Sequence, residues 1–384
     1  MKKGHNYNIL DLGSSKLRFS IFDDKSIQQY SEIKPLFNQN LYLNSNEQIV
    51  YLIKNAEKKI SSHVQDIVLM FDTYHLISVD LSLSKNLDES SELKKVYNSL
   101  LLELNQIINS NYSKYKIIHT ILSKCTIDDV VYANFPEKIN KVKNIKIEFK
   151  LICFPQKEIN FIKENFNKNN LNITHYYCSS YLKTLFYLEK MNHNNISFLE
   201  IGLKKSLLLN YENNKLKSIY TVPIGGYHIS NDISKIFKID FSEAEKIKKL
   251  FNKSDTEFSY DSKQSNNNSI LNKILSKNIQ IDLLKKVILY RVQEIIDMIF
   301  EKSNSTNKDY NDNKLFLIGE GSLLFNNNTF HLNDKFEFKS INFCSLSDVE
   351  ICKAGLKYLH NHQLPVISNK KSGIFEKFFN LLGK

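Results

Sequence analysis

The chain has no tryptophan, and only ten glycines, five prolines and five cysteines among its 384 residues. Arg18 and Arg291 are the only arginines among 52 basic residues. That scarcity argues against a nucleic-acid surface despite the net charge of +11, because such surfaces recruit guanidinium forks for bidentate contacts. Lysine can still meet an anionic lipid surface as a point charge. The cysteines (Cys125, Cys153, Cys178, Cys344, Cys352) are odd in number, scattered, and form no CxxC pair. No histidine stands at metal-ligand spacing, so the reading is buried free thiols in a reducing compartment rather than a zinc site or a disulfide framework. No run of ~18 apolar residues occurs, and Met1-Lys2-Lys3 is followed by Gly4-His5-Asn6 rather than an apolar segment. Neither a spanning helix nor a secretory signal is expected. The wealth of lysine, asparagine, isoleucine, phenylalanine and tyrosine is attributed to AT-rich coding sequence.

What is present is a repeated pattern. Residues 9–22 read ILDLGSSKLRFSIF and residues 198–211 read FLEIGLKKSLLLNY. Each is an apolar run, a carboxylate two residues ahead of a glycine (Asp11 and Gly13, Glu200 and Gly202), and a second apolar run: strand, tight turn, returning strand. The register continues, with Asp23 falling on Glu212, Lys25 on Asn214 and Ile27 on Leu216. Two remote copies imply two similar half-domains rather than a solenoid, with a phosphate between two facing turns. Backbone N–H groups of Gly13-Ser14-Ser15 can converge on phosphate oxygens, the Ser14 and Ser15 hydroxyls add donors, and Lys16 adds charge. Asp11 would hold a hydrated magnesium ion, since Mg²⁺ keeps several waters and takes few protein carboxylates.

Along the chain, the first hairpin is followed by a third strand at 26–34, a surface helix over 47–60 and a buried strand DIVLMF at 66–71. Residues 75–170 have a different character and contain no glycine. Strands are expected at 76–83, 116–122 and 145–154, and helices at 90–108, capped by Ser90, and at 156–166. The chain returns through a strand at 171–175 and a helix at 179–190 to a second three-stranded unit over 196–222. Gly225-Gly226 then opens a helix. In the next helix Glu245 and Lys248, three apart, share a face and read as a solvent-side ion pair. A polar, low-complexity loop occupies 252–269, and a long helix 271–301. A strand at 314–318 ends in Gly319-Glu320-Gly321-Ser322, a turn able to support an adenine or simply to turn the chain, and a last helix covers 348–360.

This order of parts resembles the actin-like ATPases: duplicated βββαβα halves with a ribonuclease H-like α/β fold flanking a nucleotide cleft. The small α+β insertion and separable amphipathic C-terminus resemble the FtsA family of bacterial division proteins, which tether FtsZ filaments to the membrane. The resemblance covers essentially the whole chain. It implies a first half at 1–74, completed by 171–192 and 346–362, with an inserted subdomain at 75–170. The second half would comprise 193–240 and 313–345, with a further subdomain at 241–312, and a linker and tail at 363–384. It places Asp11, Gly13, Ser14, Ser15 and Lys16 in the first phosphate loop, Glu200, Gly202 and Lys204 in the second, and Gly225 and Gly226 beside the nucleotide. Glu245 and Lys248 would lie at ribose and adenine, and Gly319, Gly321 and Ser322 in the adenosine loop. ATP and Mg²⁺ are the implied cofactors; self-assembly, FtsZ and an anionic membrane surface are the implied partners, without nucleic acid. The implied location is the cytoplasmic face of the inner membrane at the division site. Alternatives are a pilus-assembly adaptor of the actin-like type and a small-metabolite kinase.

The sequence departs from the family in its second loop, where Leu203-Lys204-Lys205 replaces small residues and hinders close backbone approach to a γ-phosphate; charge at Lys204 or Lys205 would compensate. Glu320 replaces a glycine in the adenosine loop. Around Cys178-Ser179-Ser180 no carboxylate is apparent to position water, which implies weak or no ATPase activity. The tail, GIFEKFFNLLGK (373–384), places Ile374, Phe375, Phe378, Phe379, Leu381 and Leu382 on one helical face, the pattern of a reversible interfacial anchor.

Overall fold

The computed structural model describes residues 6–36, 45–87, 93–132, 134–136, 142–191, 194–253, 279–303, 313–325 and 338–361. In chain order the elements are β1 (Tyr7–Leu12), β2 (Lys16–Phe22), β3 (Gln28–Pro35), α1 (Ser45–Ile60), β4 (Asp66–Phe71), β5 (Ile77–Asn86), α2 (Leu93–Asn111), β6 (Tyr115–Ile127), β7 (Val130–Tyr132), β8 (Asn144–Pro155), α3 (Gln156–Asn167), β9 (Asn172–Cys178) and α4 (Ser179–Leu188). They continue as β10 (Asn195–Ile201), β11 (Ser206–Glu212), β12 (Lys215–Val222), α5 (Gly226–Phe237), α6 (Phe241–Lys253), α7 (Ile281–Lys302), β13 (Lys314–Ile318), a 3₁₀ turn (Glu320–Phe325), β14 (Ser340–Phe343) and α8 (Asp348–Asn361).

The repeat in the sequence is a repeat in the fold. One sheet has the order β3-β2-β1-β4-β9 and the second the order β12-β11-β10-β13-β14. In each, an antiparallel three-stranded meander is continued by two parallel strands. Even the irregularity is shared: the outer pairing slips between Ile21 and Phe22 in one sheet and between Asn210 and Tyr211, the equivalent residues, in the other. β1, β4, β10 and β13 are buried along nearly their whole length, which is why they read as unbroken apolar runs. Helix α4 passes between the halves, where Thr184 and Tyr211 share a hydrogen bond of 2.5 Å, and its core is continuous with Phe198, Leu207 and Leu209.

The third sheet, β5-β8-β6-β7, has its own core, in which Leu100, Leu104 and Ile108 of α2 cover Ile145, Ile147 and Phe149. The β6–β7 hairpin was not legible in the sequence because its turn has no glycine. Asp128 and Asp129 both take left-handed conformations, and the Asp128 carboxylate accepts the backbone N–H groups of Lys143 at 3.0 Å and Asn144 at 2.8 Å, which ties the turn to the start of β8. β14 was also missed. The long helix begins at Ile281 rather than at 271; residues 254–278, which include most of the expected polar loop, lie outside the described residues, as does the expected tail helix at 373–384. No helix among the described residues is long and apolar enough to cross a membrane.

Candidate functional site

Ligand crevices in open α/β sheets lie at the carboxyl ends of the parallel strands, where the chain leaves the sheet. Here the ends of β1, β4 and β9 from one half meet the ends of β10 and β13 from the other, and charged side chains span the gap. Lys16 of the first loop pairs with Glu320 in the turn after β13. Lys183 on α4 pairs with Glu200 at the end of β10. Lys205 of the second loop donates to the backbone carbonyl of Asp72, one residue beyond β4. The two glycine turns and the Gly319 turn therefore border one cleft.

The first-half wall is built around Asp11, which is 2 % exposed. Its Oδ2 accepts Arg18 Nη1 at 2.8 Å and its Oδ1 accepts the Ser179 hydroxyl at 2.6 Å. Arg18 also donates from Nε to Asp348 of α8 at 2.5 Å. Among the described residues the Ser14 and Ser15 hydroxyls have no partner, so both are free to donate to a ligand at this turn.

The polar group missed at Cys178-Ser179-Ser180 comes from elsewhere in the chain. Asp72 accepts the Ser180 backbone N–H at 3.0 Å, the Ser180 hydroxyl at 2.7 Å and the Cys178 thiol at 3.2 Å. Burial opposes its ionisation, but Lys205, Lys183 and the Ser180 bonds together lower its pKa below the usual aspartate value. The sequence signal was available: Asp72 follows directly on the buried strand DIVLMF. Both its oxygens are engaged, so it does not supply the free base a metabolite kinase would need.

In the second-half wall, Gly202 N–H donates to the Lys205 carbonyl at 2.9 Å, closing the turn. The first amides of α5 face this turn: Gly226 N–H donates to the Gly202 carbonyl at 2.9 Å and Tyr227 N–H to the Leu203 carbonyl at 2.6 Å. They are consequently not available to an anion, unlike the free N-terminal amides of a usual anion-binding helix. The approach is so close that a Cβ at Gly225 would stand 2.4 Å from the Gly202 oxygen. Of the two lysines, Lys204 lies 5.9 Å from the Tyr227 ring centroid, while Lys205 enters the cleft.

Glu245 and Lys248 are not the solvent-side pair their spacing alone suggests. Lys248 is 5 % exposed, donates to Glu245 at 2.6 Å and to the Gly226 carbonyl at 2.8 Å, and Glu245 also accepts the Ser230 hydroxyl. Burial lowers the Lys248 pKa in spite of Glu245; for Glu245 burial acts upward, and Lys248, Ser230 and Lys249 overcome it to leave the pKa lowered. Gly319 turns with φ +85°, and a Cβ there would meet the Ile201 oxygen at 2.8 Å. Ser322 N–H and hydroxyl close back on the Gly319 carbonyl. A separate pocket, lined by Tyr181, Leu185, Phe186 and Tyr358, lies between α4 and α8 and away from the cleft.

The donor set suits a phosphate better than a metal. The first glycine turn carries two unpartnered hydroxyls, and Lys16 and Lys205 reach across the gap. Magnesium does not fit as expected: both oxygens of Asp11 and of Asp72 already accept hydrogen bonds from the protein, and of these cleft carboxylates only Glu200 keeps a buried oxygen, Oε2, without a hydrogen-bond partner. No metal-binding group of three or more such side chains occurs among the described residues.

Two halves of one topology around a cleft, with an inserted α+β unit, define an actin-like fold. Residues 198–327 match the family model of cell division protein FtsA. The chain has the actin-like fold, and its second half is FtsA-like. Among solved structures it is similar to a chain of the PilM-PilN type IV pilus biogenesis complex, at 12% identity, with 92% of this chain and 95% of that one covered and a TM-score of 0.52. It is also similar to MreB 5 of Spiroplasma citri bound to AMPPNP, at 13% identity, 93% and 96% coverage and a TM-score of 0.49. No curated protein sequence matches the chain.

Proposed function

We propose that this protein is an FtsA-like membrane adaptor: it binds ATP between its halves, self-associates, and tethers FtsZ filaments to the cytoplasmic face of the inner membrane at the division site. The observation that carries the reading is the match of residues 198–327, the second half with its phosphate turn and α5–α7, to the FtsA family model. In this reading Gly13, Ser14, Ser15 and Lys16 take one side of the phosphates, and Gly202 with Lys205 the other. Gly225, Gly226, Glu245, Lys248, Gly319, Gly321 and Ser322 frame the nucleoside. Nucleotide acts as an assembly ligand through its preference for one arrangement of the halves. Hydrolysis is slow, because every carboxylate near Cys178 is already hydrogen-bonded. The face formed by Ile374, Phe375, Phe378, Phe379, Leu381 and Leu382 supplies the membrane contact.

Calorimetry with ATP tests the nucleotide; absence of heat at millimolar concentration reduces the protein to a nucleotide-free scaffold. Co-sedimentation with FtsZ polymers tests the partner. A pilus-assembly adaptor is the second reading, favoured by the nearly end-to-end likeness of fold to the PilM-PilN chain. Retention of the protein by FtsZ polymers, with loss of liposome binding on deletion of 373–384, supports the first reading, and failure of both supports the second.

A further inference from the structure

The cleft carboxylates Asp11, Asp72 and Glu200 have lysines among them. Lys183 reaches from α4 to Glu200, and the Asp72 and Asp11 carboxylates also lie within electrostatic range of its ammonium. Burial acts against the charge of Lys183, but these three carboxylates outweigh it and leave its pKa raised. The side chain is 14% exposed and that of Glu200 10%. A hydrated magnesium ion meets outer-sphere carboxylates through the hydrogens of its waters. An ammonium offers three N–H donors to the same oxygens without any waters. It brings one positive charge where the metal brings two, and Lys205 brings the second. Lys205 exists because the second loop carries Leu203-Lys204-Lys205 instead of small residues. Its hydrogen-bond partner is the uncharged Asp72 carbonyl; burial lowers its pKa, and the Asp72 and Glu200 carboxylates act in the other direction to hold its charge.

We propose that the Lys183 ammonium occupies the position of the cleft's divalent cation and excludes it, and that Lys183 and Lys205 together supply the charge that a metal would bring to a bound phosphate. The second half of this statement rests on the nucleotide reading above; the first does not. Lys183 is a positioning and charge-supplying residue rather than a catalytic one.

The test uses the full chain. Thermal melting in MgCl₂, against NaCl of matched ionic strength, reads metal binding without nucleotide, because a ion bound only by the folded state raises the midpoint. The wild-type midpoint stays level across the series, whereas that of Lys183→Met, whose carboxylates have lost their cation, rises with magnesium. A wild-type midpoint that climbs with magnesium overturns the proposal. Should Lys183→Met not fold, the wild-type series still decides the point, and Lys205→Met provides the second variant. In parallel, ATP is titrated in EDTA and in MgCl₂. The two wild-type dissociation constants are expected to agree within about threefold, and a magnesium requirement of about tenfold or more overturns the phosphate half. Absence of ATP heat in both buffers removes the nucleotide reading and this phosphate half with it, and the melting series then judges Lys183 alone.

Discussion

Replacing Arg18 by methionine keeps most of the aliphatic stem and removes the cation that joins β2 to both Asp11 and Asp348. The side chains of the trio are 13%, 3% and 26% exposed for Arg18, Asp11 and Asp348. The cost lies almost wholly with Asp11: taking the partner from a buried pair costs about 3–5 kcal/mol, while Asp348, partly solvated, adds no more than about 1 kcal/mol. Asp11→Asn in the Arg18→Met background removes the stranded charge and keeps an acceptor for Ser179, so the double variant is more stable than Arg18→Met alone. The coupling should be about 2 kcal/mol or more. Urea unfolding followed by far-ultraviolet circular dichroism measures it; with no tryptophan in the chain, fluorescence is left to tyrosine. Additivity of the two substitutions within about 0.5 kcal/mol would refute the argument, because independent sites add to that extent.

Gly225→Ala forces the Gly202 and Leu203 carbonyls away from α5 and breaks the hydrogen bonds that the Gly226 and Tyr227 amides donate to them, at about 1–3 kcal/mol each; faster hydrogen exchange at Gly226 and Tyr227 is the readout. Asp72 has a folded pKa below its unfolded value of about 3.9, so its contribution is complete above that pH and is lost as the pH falls through the folded value. Accordingly the urea midpoint of the wild type falls more steeply with acid than that of Asp72→Asn. Burial pushes the Cys153 and Cys352 thiols up to about 12. Alkylation at neutral pH, followed by mass spectrometry, is therefore expected to label half-buried Cys344 before the other four. Glu320 is half exposed and its pair with Lys16 is screened, so Glu320→Gln should change stability by less than about 1 kcal/mol while strengthening ATP binding through the loss of a negative charge at the cleft.

By itself the sequence determined the duplication. A carboxylate, a glycine and flanking apolar runs recur in register, and since strand pairing has a period of two residues, that register carries over to the sheets, down to a shared bulge at Ile21/Phe22 and Asn210/Tyr211. It also placed most elements within a few residues, because buried parallel strands and amphipathic helices leave periodic marks. Hidden from it were features without a local mark, such as the Asp128-Asp129 turn and the four-residue strand β14. The charge state of the cleft was hidden too. Asp72, Lys183 and Asp348 are remote in sequence from the loops they face, and nothing local distinguishes an engaged carboxylate from a free one. The fold within each half decides that Asp11 is taken by Arg18, opposite it in the β1–β2 hairpin, and by Ser179. It also decides that Glu245 and Lys248 are buried against α5 rather than solvated. What only the meeting of the two sheets decides lies across the cleft. The same meeting gives Glu200 to a lysine, because ionic partners are chosen by distance and desolvation across the cleft, and neither is a property of the chain until it has folded.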